Sequence, residues 1–189
     1  MQITVSKNGQ IVDSGKYDWN TNTKTFSTNE DGLVLDFGEL ENVTIKCGYS
    51  CTINSGSHCT INSGSHCTIN SGYDCTINSG SYCTINCGNS CTINSGYNCT
   101  INCGYSCTIR TYWDTEIIAG KNCILVYIFD EICESYKLPE QKKCKILKNG
   151  TLEFIIEKTE TELQIESLKK TIEDANAKVI ELQKQIQKK

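Results

Sequence analysis

The chain has 189 residues, 14 cysteines, 14 glycines and one proline, a composition unlike that of an ordinary globular core. Its formal charge of −4 is mild and spread along the chain, so a nucleic-acid partner is not expected. The amino-terminal letters lack the pattern of a secretory signal, and no apolar run is long enough for membrane insertion. These features predict a protein made in the cytosol.

Residues 1–34 are not repetitive. They begin with a short alternating stretch, ITVSKNGQIV, which carries a turn signal at Asn8-Gly9. The loop-like letters TNTKTFSTNEDG follow it. We expect this segment to form an N-terminal β cap.

Residues 35–130 can be written as twelve octads, five of which read C-T-I-N-S-G followed by two variable residues. A short fixed period indicates a solenoid, because one unit cannot bury its own apolar face and must stack on its neighbour. Strand alternation directs positions 1, 3 and 5 inward, and Thr and Asn outward. The glycine at position 6 is expected to give the turn its backbone freedom. The predicted fold class is all-β, a β-solenoid (parallel β-helix) of octapeptide repeats.

Two coil lengths fit these octads. The short turn suits a full reversal of the chain, which gives two strands, and therefore two octads, per coil. Tyr49, Tyr73 and Tyr97 instead recur in every third octad at one turn position, as a three-sided coil would require. We favour the coil of two octads, which contains about 16 residues.

The inward positions predict the solenoid core. In a two-sided coil the facing strands run in opposite directions, so isoleucine faces isoleucine and cysteine faces serine. The head cysteines then flank the isoleucines as small buried hydrophobes. The predicted core isoleucines are Ile53, Ile61, Ile69, Ile77, Ile85, Ile93 and Ile101.

Three octads carry cysteine in place of serine at position 5, which lies across a turn from the next head cysteine. Such pairs are within reach of a disulfide bond if positions 5 and 1 face each other. The alternative is that every cysteine remains a thiol in a reducing cytosol. The candidate disulfides are Cys47 with Cys51, Cys87 with Cys91, and Cys103 with Cys107.

Two other chemistries were weighed for the cysteines. The histidines His58 and His66 lie near Cys-x3-Cys spacings, which suits zinc, and each directly precedes a cysteine, which suggests a catalytic Cys–His pair. However, position 8 belongs to the turn and faces solvent, and an array of identical pairs lacks an orienting third group. We therefore expect no metal, no cofactor and no enzymatic activity.

Residues 131–157 are predicted to form a C-terminal β hairpin or cap. The letters KCKILKNGTLEFII place an Asn149-Gly150 turn between two alternating stretches, a strong hairpin signal.

Residues 158–189 are predicted to form a coiled-coil helix, because apolar residues alternate at spacings of three and four. β-Branched residues at positions a, with Leu, Ala and Leu at positions d, favour a parallel two-stranded coil, and a trimer remains open. The expected partner is thus the chain itself, and the alternative is a helix folded back on the solenoid. The predicted seam is Ile165, Leu168, Ile172, Ala175, Val179, Leu182 and Ile186.

The octads resemble those of a known repeat family. The stretch CTINSGYNCTINCGYSCTI and the later GKNCILVYIFDEICESYKLPE are similar to cysteine-headed octapeptide-repeat proteins, with units like C-T-[IF]-x-[ST]-G-x-x, of large phages and large DNA viruses. The resemblance covers residues 43–140, and this chain departs from it by using Ile where many of those repeats have Phe. It implies a viral or phage context, with the protein associated with the virion, more than it implies an activity.

The outward Thr-Ile-Asn rows resemble, more weakly, the Thr-Cys-Thr rows of insect hyperactive antifreeze proteins. That resemblance implies an ice-binding face, although Asn lacks the methyl group of a second Thr. The alternative is that Thr suits an exposed strand and Asn forms side-chain ladders. The candidate ice-binding residues are Thr52, Thr60, Thr68, Thr76, Thr84, Thr92 and Thr100.

The sequence thus predicts a non-enzymatic structural rod that acts as a fibre, spacer or attachment element and forms oligomers through its C-terminal helix. Ice binding is the first alternative. A self-assembling filament is the second, and it would require open solenoid ends, which the predicted caps would cover.

Overall fold

The computed structural model describes residues 3–129, 132–155 and 160–186. The chain divides into two compact units, residues 1–155 and 156–189. The first unit is a β-solenoid of about 6 coils with ~16 residues in each, which confirms the shorter of the two coil lengths. The second contains one helix, α1 (Glu160–Ile186). The predicted boundaries at residues 130–131 and 157–158 lie outside the described residues.

Two sheets face each other across the solenoid, and their strand register follows the repeat. Thr84, for example, pairs with Thr68 on one side and Thr100 on the other, and each of these partners lies two octads away. The first sheet has the spatial order β2 (Gln10–Ile11), β1 (Thr4–Lys7), β5 (Val34–Asp36), β7 (Thr52–Asn54), β9 (Thr68–Ser71), β11 (Thr84–Cys87), β13 (Thr100–Cys103), β15 (Glu116–Ala119), β18 (Lys143–Ile146), β19 (Leu152–Ile155). The second has the order β3 (Asp18–Asn20), β4 (Thr25–Ser27), β6 (Thr44–Lys46), β8 (Thr60–Asn62), β10 (Thr76–Asn78), β12 (Thr92–Asn94), β14 (Thr108–Thr111), β16 (Ile124–Phe129), β17 (Ile132–Lys137).

The core is a double ladder of isoleucines, as the alternation predicts. Each predicted core isoleucine has no exposed surface, and the ladder continues beyond the regular octads through residues such as Ile45, Ile109 and Ile117. Near the amino-terminal end it meets Phe26 and Phe37, whose ring centroids lie 5.4 Å apart. The buried apolar side chains therefore form one continuous cluster along the solenoid.

The glycine at position 6 does not provide the backbone freedom that the sequence predicts for it. Gly72 and Gly88 do not adopt positive φ angles. Instead the glycine amides donate to the glycine carbonyls of the previous coil, as from Gly88 N to Gly72 O at 3.0 Å. A Cβ on Gly88 would lie only 3.0 Å from the carbonyl carbon of Gly72. Glycine is needed because successive turns stack backbone on backbone.

The left-handed conformation lies at position 8 instead, two residues later. Every octad from Asn42 to Asn122 has a non-glycine residue with positive φ there, including Tyr82 at 60° and His66 at 61°. Such a conformation is uncommon for a bulky side chain and costs on the order of 1–3 kcal/mol. The backbone hydrogen bonds between coils, on either side of the turn, therefore stabilise a conformation that is unfavourable for these residues in isolation.

Antiparallel strands close both ends of the solenoid. At one end β1 pairs antiparallel with β5 and with β2, and β3 pairs antiparallel with β4. At the other end β17 pairs antiparallel with β16, and β18 with both β15 and β19. The two predicted hairpin turns are confirmed, since Asn8-Gly9 joins β1 to β2 and Asn149-Gly150 lies between β18 and β19.

Helix α1 is described as a unit by itself. Along its predicted seam, Ile165, Leu168 and Ile172 are 47%, 62% and 59% exposed. Ala175 is also exposed. The helix is thus confirmed, whereas a coiled coil stays a prediction. The side chains of Val179, Leu182 and Ile186 lie outside the described residues.

Candidate functional site: thiol columns and repeat surfaces

Twelve cysteines of the described residues lie in two columns, one beside each row of turns. The column that we call the short column contains Cys51, Cys67, Cys83 and Cys99 at position 1, with Cys47 at position 5 of the facing strand. The long column contains Cys59, Cys75, Cys91, Cys107 and Cys123 at position 1, with Cys87 and Cys103 at position 5. Every cysteine whose side chain is described is a free thiol.

Each head cysteine ties its own coil to the previous one through its thiol. Cys75 Sγ donates to the carbonyl of Gly56 at 3.5 Å and accepts from the amide of Cys59 at 3.4 Å. Thr115 occupies the same position one coil beyond Cys99, and its hydroxyl accepts from the Cys99 amide at 3.3 Å. The thiol at position 1 therefore both donates and accepts, and it does so at little desolvation cost.

The serine hydroxyls at position 5 are less well hydrogen-bonded than the thiols at position 1. The Oγ atoms of Ser55, Ser63, Ser71 and Ser79 are buried and make no hydrogen bond of acceptable geometry. A hydroxyl without a partner is costly in such a place, whereas a thiol loses little. Cys47, Cys87 and Cys103, which replace serine at this position, therefore do not disturb the fold.

The structure brings the candidate disulfide partners together across the turns. Cys87 and Cys91 lie in one cluster of thiols with Cys107, and Cys103 and Cys107 lie in a second cluster with Cys123. Within each cluster the Sγ atoms all lie within 4.8 Å of one another. Each of these two position-5 thiols thus lies beside two head cysteines in successive coils. Oxidation of these pairs, and of Cys47 with Cys51, remains a prediction.

Crowding of thiols in the long column lowers the pKa of Cys107. Hydrogen bonds donated by Cys103, Cys87 and Cys91 hold its pKa well below the usual thiol range. The same bonds, made to the Cys107 sulfur, raise the pKa of Cys103, Cys87 and Cys91. Burial alone raises the pKa of the distant thiol Cys144 to about 11. The protons of these neighbouring thiols therefore favour negative charge on the Cys107 sulfur.

The two histidines lie at the turns, away from the thiols. His58 is an exposed side chain whose ring packs on Tyr73 and whose Nδ1 lies 4.0 Å from an Asp74 carboxylate oxygen. His66 is also exposed, and its ring lies between Tyr49 and Tyr82. Both are directed to solvent, as position 8 predicts, whereas the neighbouring cysteines are buried.

Sequence reasoning missed an aromatic ladder along one row of turns. Its rings follow one another at centroid separations of 4.6–5.3 Å, and Lys148 lies over the last ring at 5.4 Å. Tyr73 lies three octads from both Tyr49 and Tyr97. Three octads make one and a half coils, so Tyr73 belongs to the other row of turns and not to this ladder. The rings are those of Tyr49, His66, Tyr82, Tyr97 and Trp113.

The outward Thr and Asn side chains form in-register rows, as predicted, but on two faces. The first sheet carries Thr52, Thr68, Thr84 and Thr100, and the second carries Thr44, Thr60, Thr76, Thr92 and Thr108. Asparagine amides bond along each row, as from Asn86 Nδ2 to Asn70 Oδ1 at 3.0 Å. Among the described residues, these threonine hydroxyls have no protein partner.

A shallow groove of about 700 Å³ runs along the asparagine row of the second sheet. It is lined by Asn62, Asn78 and Asn94, and the basic residues Lys46 and Arg110 lie in the same row at its two ends. The lining side chains are mostly neutral amides and hydroxyls. The groove could therefore take an elongated polar ligand, and the half-buried thiol of Cys47 lines it beside Lys46.

No helix in the described part of the chain is long and apolar enough to cross a membrane. Comparison with known proteins finds no family model, no curated protein and no solved structure that matches this chain.

Proposed function

We propose that this chain is a non-enzymatic structural rod that serves as a fibre, spacer or attachment element. The observation that carries the proposal is the uninterrupted parallel register of both sheets, which is closed by antiparallel strands at each end. A stack of this kind is stiff along its axis, because each coil is bonded to the next through strands, glycine turns and asparagine side chains. At about 4.8 Å per coil the solenoid spans roughly 30 Å.

The viral or phage context of the proposal rests on the resemblance of the octads to the repeat proteins of large phages and large DNA viruses. Antiparallel pairing at the ends favours a discrete rod over the filament alternative, since it interrupts the parallel register that end-to-end stacking of solenoids would continue. The described histidines and buried thiols do not form a nucleophile with an orienting base, which favours a mechanical role over catalysis.

Valency is assigned to helix α1, whose seam would pack against a second copy of the chain. Ile165, Leu168 and Ile172 present an exposed apolar stripe with a heptad spacing. β-Branched residues at positions a favour a parallel pair, which would tether two solenoids. Two tethered rods would turn weak single contacts into multivalent ones.

Ile172→Asp is expected to convert the oligomer to a monomer, because it places a charge in the seam. The matched control is Ile180→Asp, since Ile180 is 53% exposed but lies one position beyond a seam residue. Molar mass from light scattering and negative-stain images of the full chain measure the change. The wild type and the control should appear as rods joined in twos or threes. If the wild-type protein appeared as single rods with the molar mass of one chain, that result would contradict the proposal.

Ice binding is a second candidate, favoured by the rows of threonine hydroxyls that have no protein partner among the described residues. We expect that function, if present, to appear as a gap between the melting and freezing points of dilute wild-type protein. Thr84→Lys would place a bulky charge in the middle of one row and remove the gap if that face binds ice. Thr76→Lys makes the same change on the other face, so the pair identifies the face. Wild-type protein that shows no gap rejects this candidate.

A further inference from the structure

The long column contains two overlapping trios of sulfur atoms, Cys87 with Cys91 and Cys107, and Cys103 with Cys107 and Cys123. From this geometry we propose that the column binds Cu(I), one ion in each trio, with the Cys107 sulfur shared between the two ions. This inference is independent of the proposed mechanical role.

The trios exist because two coils depart from the repeat at one position. Earlier in the same column, position 5 is occupied by Ser55 and Ser71, which carry no sulfur. In the next two coils Cys87 and Cys103 take that position and bring a third sulfur close to two head cysteines. Solenoid packing alone does not require these two thiols, since serine fills the same position in the same stack.

The geometry of each trio suits a three-coordinate ion. With metal–sulfur bonds of about 2.3 Å, a planar arrangement separates the sulfur atoms by about 4 Å. The Sγ atoms within 4.8 Å of one another need only small side-chain rotations to reach it. Zinc prefers four ligands in a tetrahedron, and each group of sulfurs in the described residues contains three.

The ligand chemistry selects the same ion. All five ligands are thiols, which are soft donors and favour Cu(I) over cations that prefer oxygen. The sites are dry, because four of the five cysteines are at most 8% exposed. Cys87 is only partly buried, and it provides a path by which an ion can enter from the turn.

Binding exchanges protons for metal without any redox step. The copper arrives already as Cu(I), and each sulfur that binds it releases its proton to solvent, so binding weakens as the pH falls. Cys107 is the natural bridging ligand, because its sulfur is the one that belongs to both trios. A shared sulfur also limits the number of negative charges that are buried with each ion.

The test is anaerobic titration of the full-length protein, kept reduced with a phosphine, with Cu(I) supplied as its bicinchoninate complex. The wild type should withdraw about two equivalents of copper from the coloured complex. It should also gain the ultraviolet charge-transfer band and the luminescence of a shielded Cu(I)–thiolate centre. Cys87→Ser and Cys103→Ser should each lose one equivalent, and the double variant should lose both together with the luminescence.

The Cys→Ser variants are expected to fold, because serine already occupies the same position in the same column at Ser55 and Ser71. Circular dichroism should therefore show unchanged strand content. Cys47→Ser makes the same change in the short column and should leave copper uptake intact. Uptake by the double variant equal to that of the wild type would overturn the proposal. Equal losses in Cys47→Ser and Cys87→Ser, or displacement of the bound copper by equimolar Zn(II), would also overturn it.

Discussion

Gly88→Ala should lower the free energy of unfolding of the solenoid by about 3 kcal/mol, the upper end of the range for an overpacked interior site. The added Cβ would lie 3.0 Å from both the Gly72 carbonyl carbon and the Tyr73 amide nitrogen. These are backbone atoms fixed by coil-to-coil hydrogen bonds, so they cannot move aside as a flexible side chain would. Urea unfolding followed by circular dichroism measures the effect.

The control for this prediction is Gly15→Ala. Gly15 also lacks a positive φ, and its added Cβ would meet only the side-chain oxygen of Asp13. A substitution of this kind at the surface should change stability by less than about 0.5 kcal/mol. If the two variants unfolded at the same urea concentration, close stacking of the turns would not explain why the repeat has glycine at position 6.

The coil length and the isoleucine core could be predicted from the sequence, because both follow from local rules. Strand alternation directs the central isoleucine of the repeat inward, and a short turn favours a full reversal of the chain. Stacking then requires that residues two octads apart pair in register, as Ile69, Ile85 and Ile101 do. The competing pattern, in which tyrosines recur in every third octad, failed because it reflects one and a half coils of a two-sided stack.

The conformation of the turn could not be predicted from the usual preference of glycine for positive φ angles. Glycine normally marks a positive φ, but here that conformation falls on residues such as Ser90 and Asn98 at position 8. The space beside Gly88 is restricted by Gly72, which lies one full coil earlier, so the restriction is a tertiary contact. A rule that considers only residues adjacent in sequence cannot predict this contact.

The thiol trios show the same limit at the candidate site. The sequence predicts a pair of Cys87 with Cys91, because positions 5 and 1 face each other across a turn. The third sulfur, that of Cys107, comes from the next coil and becomes visible only when the coil length is known. The aromatic ladder could not be predicted for the same reason. Its rings occupy position 7 in some octads and position 8 in others, so the number of residues between successive rings varies around the length of one coil.

The second large effect is expected for Ile85→Ala, which should destabilise the solenoid by about 3–5 kcal/mol. Ile85 has no exposed surface and pairs in register with Ile69 and Ile101. The strand spacing on both sides is set by backbone bonds, so the neighbouring coils cannot collapse into the space that the substitution leaves. The cost should therefore fall in the upper part of the range for removal of a buried aliphatic side chain.

Ile124→Ala is the matched control, because Ile124 belongs to the same stack but faces outward and is 45% exposed. Its loss should cost less than about 1 kcal/mol. Urea unfolding of both variants, followed by circular dichroism, gives the comparison. A stack depends on contacts between neighbouring coils, so a defect at its centre weakens the coupling of the two halves. We therefore also expect a less cooperative transition for Ile85→Ala than for the control. Equal unfolding midpoints would mean that the isoleucine ladder does not hold the coils together, and that the backbone and thiol hydrogen bonds do so instead.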